Sequence, residues 1–400
     1  MCDTVAAIVS PEHSFFGKNS DRDPEEFQFV YISTDPAREF RERPVQYEKK
    51  EYLEKSFPLL REIFPHYQHP YSALLSKPDW IWGAEMGVNE KGLAIGNEAV
   101  FYRGAKRVEG LLGMDILRLA LHNCRDVQEA VGFITGLIEK YPQGGNGSFT
   151  GKLYYHNSFI IKDFKEAVVL ETGGDTWALK EVADYATISN AYSIRDDFQQ
   201  CSKEGPGNLK KDLEDRLFTF FSRGDLRQKL SSTYLAEKEV NLRNLFGLFR
   251  LHKNNSLQPE RGMTSICIHP GIFIKSETTS SLVIEYFQDR FLAWFTASPN
   301  PCLSLYKPLL FQEEVLEENP FIDLEYAYLY SKKWRQLSRQ LGKKAAYFHS
   351  RLAGERDRVE EEMEKKMAPF LRGEEDGQEV WLESLEMAEK YLNKIESSSR

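Results

Sequence analysis

Cysteine is scarce in this chain of 400 residues, with five in all, at positions 2, 124, 201, 267 and 302. An odd, widely spaced set does not make a disulfide framework and fits reduced thiols in a cytoplasmic setting. Basic surplus is also lacking. The formal net charge is −9, and no Lys/Arg-rich stretch offers a phosphate-binding face, which argues against a nucleic-acid partner. No apolar run approaches the roughly 20 residues that span a bilayer, so no membrane partner is expected. The N-terminus has neither a basic region nor a long apolar stretch, and is not read as a signal peptide. With 41% hydrophobic and 28% charged residues, an ordinary globular core is expected.

What is present is concentrated at the start. In MCDTVAAIVSPEHSFFGKNSD, removal of Met1 would leave Cys2 carrying both a thiol and a free α-amine. Their reference pKa values, about 8.5 and about 7.7–8.0, put a nucleophile and a base on one residue near neutral pH. That is the chemistry of N-terminal-nucleophile hydrolases. Residues 4–9 and 14–19 read as strands around a turn at Ser10–His13. A hairpin centred near residue 12 sets Cys2 opposite Asp21 or Arg22, at strand spacing. Asp21 would then hold the α-amine, and Lys18 and Arg22 would supply positive potential to the thiol.

The segments CDT, GKNSDR (Gly17–Arg22) and WGAEMGVNEKGLAIGNEAV (Trp82–Val100) closely resemble the secernins, a cysteine dipeptidase family within the N-terminal-nucleophile hydrolases. LLGMDILRLAL, YHNSFII, LETGG, ISNAYSI and WFTASPNPCLSLYKP extend the resemblance to about residue 308, in the expected order. It implies an α+β fold, an αββα sandwich of two stacked antiparallel sheets. It also implies that Asn97 is an oxyanion donor with Glu98 beside it, and that Asn190 serves the oxyanion or the α-amine. Glu171 and Thr172 are supporting candidates. Relatives often carry an arginine beside the nucleophile. Arg261 is the nearest late candidate, and Lys18 stands where some relatives have arginine, keeping charge but not bidentate carboxylate binding.

Other features have plainer readings. The irregular stretch 22–78 holds His66 and His69, an HxxH pair without further ligands at metal-site spacing. It reads as a surface loop at a pocket mouth, and neither a metal nor a cofactor is implied. His156 reads as structural. Residues 111–123 and 126–140 have helical period, and 195–260 read as a helical insertion within an N-terminal domain of residues 2–310. Residues 311–400 are charged and helix-prone, an appendage whose surface could serve homo-oligomer contact.

The expected function is hydrolysis of amide bonds in dipeptides or small peptides through Cys2. An N-acyl amidohydrolase and a non-catalytic binding protein on the same fold are the alternatives.

Overall fold

A computed structural model describes residues 1–42, 49–203, 205–253, 259–271, 275–311 and 318–399. Two antiparallel sheets carry the fold. The first runs, edge to edge, Tyr185–Ile188, Cys2–Ser10, His13–Arg22, Glu277–Phe287, Arg290–Phe295 and Lys307–Leu309. The second runs Gln200–Cys201, Thr176–Glu181, Ala167–Gly173, His156–Lys162, Ala94–Val100, Met86–Asn89, Ala73–Pro78 and Gln28–Ser33.

The sheets stack, with strand Cys2–Ser10 packed across Ala94–Val100 and His156–Lys162. Helices Gly113–Asn123 and Val127–Lys140 cover the outer face of the second sheet, and helix Leu242–Phe249 covers the first. This is an αββα sandwich, two stacked antiparallel sheets between helical layers. Between the sheets both faces of many strands are buried, so their sequences run apolar rather than alternating cleanly.

The stretch 22–78 is more ordered than its sequence suggests. Gln28–Ser33 pairs with Ala73–Pro78, and short helices occupy Pro36–Glu42, Lys50–Lys55 and Phe57–Ile63; residues 43–48 lie outside the described residues. Its aromatics, without period in the sequence, form a cluster in which Phe40 stacks between Phe57 and Phe64 and meets the edge of Trp82. His69 is buried here, its ring stacked on Phe64 and its two nitrogens engaged by the Phe64 carbonyl and Asn123. The surface-loop reading therefore fails for His69, whereas His66 is exposed at the end of the 3-10 turn Phe64–His66.

Among the described residues, the insertion 195–260 is mostly helical, with the edge strand Gln200–Cys201 near its start. Arg216–Ser222 and Gly224–Glu237 lie over the end of the first sheet, where Gly224 packs so closely on the Asn190 backbone that a Cβ would clash. The C-terminal helices Leu324–Gly342, Ala353–Leu371 and Gln378–Ser399 dock on the sandwich through Trp334, Phe370 and Trp381, each buried. The boundary expected at 310/311 abuts residues 312–317, which are outside the described residues.

Candidate active site

The first hairpin places the candidate nucleophile, Cys2. Its register is Thr4↔Lys18 and Cys2↔Ser20, not Cys2 with Asp21 or Arg22. The turn is centred on Pro11 and Glu12, where the Ser10 hydroxyl accepts from the Glu12 and His13 N–H groups and the ladder shifts between Ile8 and Ser10. Side chains alternate across a strand. Accordingly Lys18 points with Thr4 between the sheets, while Asn19 and Asp21 point to the helical layer.

Charged groups surround the Cys2 thiol. Sγ lies 3.6 Å from Glu85 Oε2 and accepts from the Asp21 backbone N–H at 3.4 Å. Lys18 Nζ sits 3.1 Å from Glu98 and 3.9 Å from Glu85. Burial opposes the Lys18 charge, but Cys2, Glu98 and Glu85 beside it outweigh this and hold the ammonium well above its ordinary range. With Met1 attached, burial pushes the thiol up to about 12 despite Lys18. A protonated, 5% exposed thiol is a poor nucleophile. Burial, against the Lys18 charge, also raises Glu98 to about 8.

The Cys2 nitrogen is held from the other side. Its N–H donates to Asn190 Oδ1 at 2.9 Å, and Arg227 Nη2 donates to the same oxygen at 2.5 Å. Asn190 Nδ2 donates to the Ala99 carbonyl at 2.9 Å. Two donors on one atom and an acceptor on the other fix the amide orientation. Asn190 thus serves the nitrogen of Cys2, and one of its two Nδ2 N–H groups is engaged by the Ala99 carbonyl. Arg227 also pairs with Asp3 and reaches the Ser222 and Met263 carbonyls.

Several expected residues stand elsewhere. Asn97 neighbours Glu98 in sequence and therefore faces the opposite side of its strand. Its Nδ2 meets Asn157 Oδ1 at 3.3 Å, and both amides crowd Gly113 at the start of a covering helix. The oxyanion assignment for Asn97 is overturned on that geometry. The Asp21 carboxyl accepts from Thr278 at 2.5 Å, and burial with Asp3 nearby raises it to about 7. What reaches the Met1 amine is the Asp21 backbone carbonyl. Arg22 contributes less free positive potential than expected, since Glu85 at 3.0 Å and Glu26 at 2.9 Å balance it.

Glu171 accepts from the Ser193 and Ile194 N–H groups, and Thr172 bonds Gln143, so both brace loops. His156 packs edge-on against Tyr102, with burial lowering it to about 4. Arg261 lies in a loop bridged to His269, and the arginine that holds the acceptor of the Cys2 nitrogen is Arg227. Sequence reasoning missed Arg227 and Glu85. Glu85 lay within the WGAEM segment as a usable signal, whereas nothing local marks Arg227 among the charges of the insertion.

Residues 9–150 match a family model described as acyl-coenzyme A:6-aminopenicillanic acid acyl-transferase. Among solved structures the chain is similar to a mutant of the conjugated bile acid hydrolase from Clostridium perfringens. That match has 12% identity, 78% of this chain and 98% of that one covered, and a TM-score of 0.41. It is similar also to penicillin V acylase from Agrobacterium tumefaciens, with 13% identity, 77% and 86% covered, and a TM-score of 0.41. A Caenorhabditis elegans ortholog of N-acylethanolamine-hydrolyzing acid amidase gives 12% identity, 71% and 92% covered, and a TM-score of 0.37.

Proposed function

We propose that this chain is a secernin-like cysteine amidohydrolase that cleaves dipeptides or small peptides after loss of Met1. The observation that carries the reading is the seat of the Cys2 nitrogen, 2.9 Å from an Asn190 oxygen fixed by Arg227, on the residue whose thiol lies beside Lys18. An α-amine generated there would keep its hydrogen bond to Asn190. The unpartnered, buried Asp21 Oδ2 is a second acceptor for the ammonium form.

In the mechanism, the α-amine takes the thiol proton and the thiolate attacks the amide carbonyl. Lys18 and the Asp21 backbone N–H stabilise the thiolate. With Asn97 on the far face, the oxyanion falls to the second N–H of Asn190 Nδ2 or to backbone N–H groups beside Cys2. The tetrahedral adduct collapses to a thioester as the α-ammonium protonates the leaving amine. A water then loses its proton to the freed α-amine, attacks the thioester and releases the acid with the thiol restored.

A second reading, hydrolysis of N-acyl amides with an apolar acyl group, is favoured by one observation. Leu217, Phe218, Phe220 and Phe221 are exposed on the helix just before Gly224 and Arg227, and Phe218 contacts Phe101 near the Asn190–Ala99 bond.

Intact mass before and after thiol-selective alkylation at neutral pH tests the common step. Loss of one methionine with rapid single labelling at Cys2 is expected, and retained Met1 or a blocked amine would sink it. A panel of dipeptides against acyl amides then separates the two substrate classes.

A further inference from the structure

Far from Cys2 in sequence, two imidazoles and two thiols converge. His252 follows helix Leu242–Phe249, Cys267 and His269 lie on the next loop, and Cys302 lies in the 3-10 turn Pro301–Leu303. His269 Nε2 is 3.1 Å from His252 Nε2, 3.5 Å from Cys267 Sγ and 3.4 Å from Cys302 Sγ. All four donor atoms lie within 4.8 Å of one another, and all four residues are buried. A tetrahedral zinc site with bonds of about 2.0–2.3 Å has ligand–ligand edges of about 3.3–3.8 Å. We propose that His252, Cys267, His269 and Cys302 bind a zinc ion as a closed, structural Cys2His2 site.

The donor chemistry favours an ion over a hydrogen-bonded cluster. Two imidazole nitrogens facing each other can share one proton, and thiols are weak donors, so protons alone satisfy this set poorly. Imidazole with thiolate is a set suited to zinc. A divalent ion with two thiolates adds no net charge, which suits a buried position beside Arg356, whose Nη1 donates to the Cys302 carbonyl at 2.6 Å. His269 also lines a surface cavity with Arg261 and Asn300, which gives an entry path.

The backbone around the four ligands is already tied together. The Ile266 and Cys267 N–H groups both donate to the Leu251 carbonyl at 3.1 Å. Thr278 exchanges bonds with Ile268, its N–H donating at 3.0 Å and its hydroxyl accepting at 2.9 Å. The same loop grips the catalytic hairpin from behind. Asn19 Nδ2 donates to the Phe249 and Ile266 carbonyls at 2.9 and 3.0 Å, and the Thr278 hydroxyl donates to Asp21. An ion here would lock the insertion, the last sheet strands and the C-terminal helices behind Asn19 and Asp21.

The test is metal content of the full chain purified under reducing conditions without chelator, followed by exchange of cobalt for zinc. One zinc per chain is expected, with cobalt giving tetrahedral d–d bands and thiolate charge transfer that saturate at one equivalent. Cys302→Ser and His269→Ala should lose those bands, while Cys2→Ala, Cys124→Ala and Cys201→Ala keep them. Absence of stoichiometric zinc together with no charge-transfer band would overturn the proposal. So would a Cys302→Ser spectrum like that of the unaltered protein, or a Cys267–Cys302 disulfide in freshly purified chain. If the ligand variants fail to fold, the cobalt spectrum of the unaltered chain decides alone.

Discussion

Two buried clusters in this molecule are built around cysteine, and their neighbours make them different materials. Around Cys2 stand Lys18, Arg22, Glu85 and Glu98, two cations and two carboxyl groups, the second of them raised to about 8 by burial, among which protons can move. Around Cys267 and Cys302 the adjacent donors are two imidazoles, with no carboxylate in the ligand set. Burial is the main cause that raises Cys2 and Cys267 alike to about 12, with the nearby carboxylates adding to it at Cys2 and Cys302 at Cys267. On the proposed function, a thiol beside a cation suits one to acid–base chemistry, and convergence of soft donors suits the other to ligation. Burial of a cysteine therefore says little until its partners are named.

The contrast can be broken most sharply at Cys2. Cys2→Ala should lose at least about 10³-fold in turnover while keeping its fold and its zinc content; retained hydrolysis would remove Cys2 from the mechanism. Asn190→Ala should cost about 10²-fold in kcat, because the nitrogen of Cys2 loses its fixed acceptor. In parallel, Asn97→Ala should stay within about threefold, and a large loss there would return Asn97 to the site. On the other cluster, Cys302→Ser should lower unfolding stability by more than about 2 kcal/mol in urea titration, chiefly through the lost ion.

The smallest effect concerns a third buried acid. Asp115, accepting from Tyr52 at 2.9 Å, is raised by burial from an ordinary 3.8 to about 7. Between those values the native state keeps a proton that the unfolded chain has released, so this group makes stability fall as pH rises and has no further effect above the upper value. Asp115→Asn should flatten that part of the slope, read as the urea midpoint at about pH 5 and about pH 7.5. An unchanged slope would contradict the assignment.

Local pattern carried much of this fold into the sequence. The paired helices begin and end within two residues of their periodic stretches, Asp126 capping the second, and the GKNSD strand lies beside the CDT strand. What failed locally was counting. The two-residue turn at Pro11–Glu12 moved the hairpin register, and alternation sent Asn97 away from the thiol while bringing Glu98 towards it. The rest is long-range. Arg227 reaches Asn190 through a helix of the insertion, and the His/Cys cluster gathers residues from 252 to 302 with none of the close, paired spacing of a zinc finger.

The opening strand also behaves as a ruler laid from the end of the chain. Cys2 and Thr4 share one face, while Asp3 turns to the other to meet Arg227. Trimming one residue presents a thiol, but trimming two presents a carboxylate already held in an ion pair. A peptidase acting here has to stop after a single cut. On the proposed mechanism, an affinity tag fused ahead of Cys2 would remove the α-amine that serves as its base, so recombinant preparations should carry the tag at the other end.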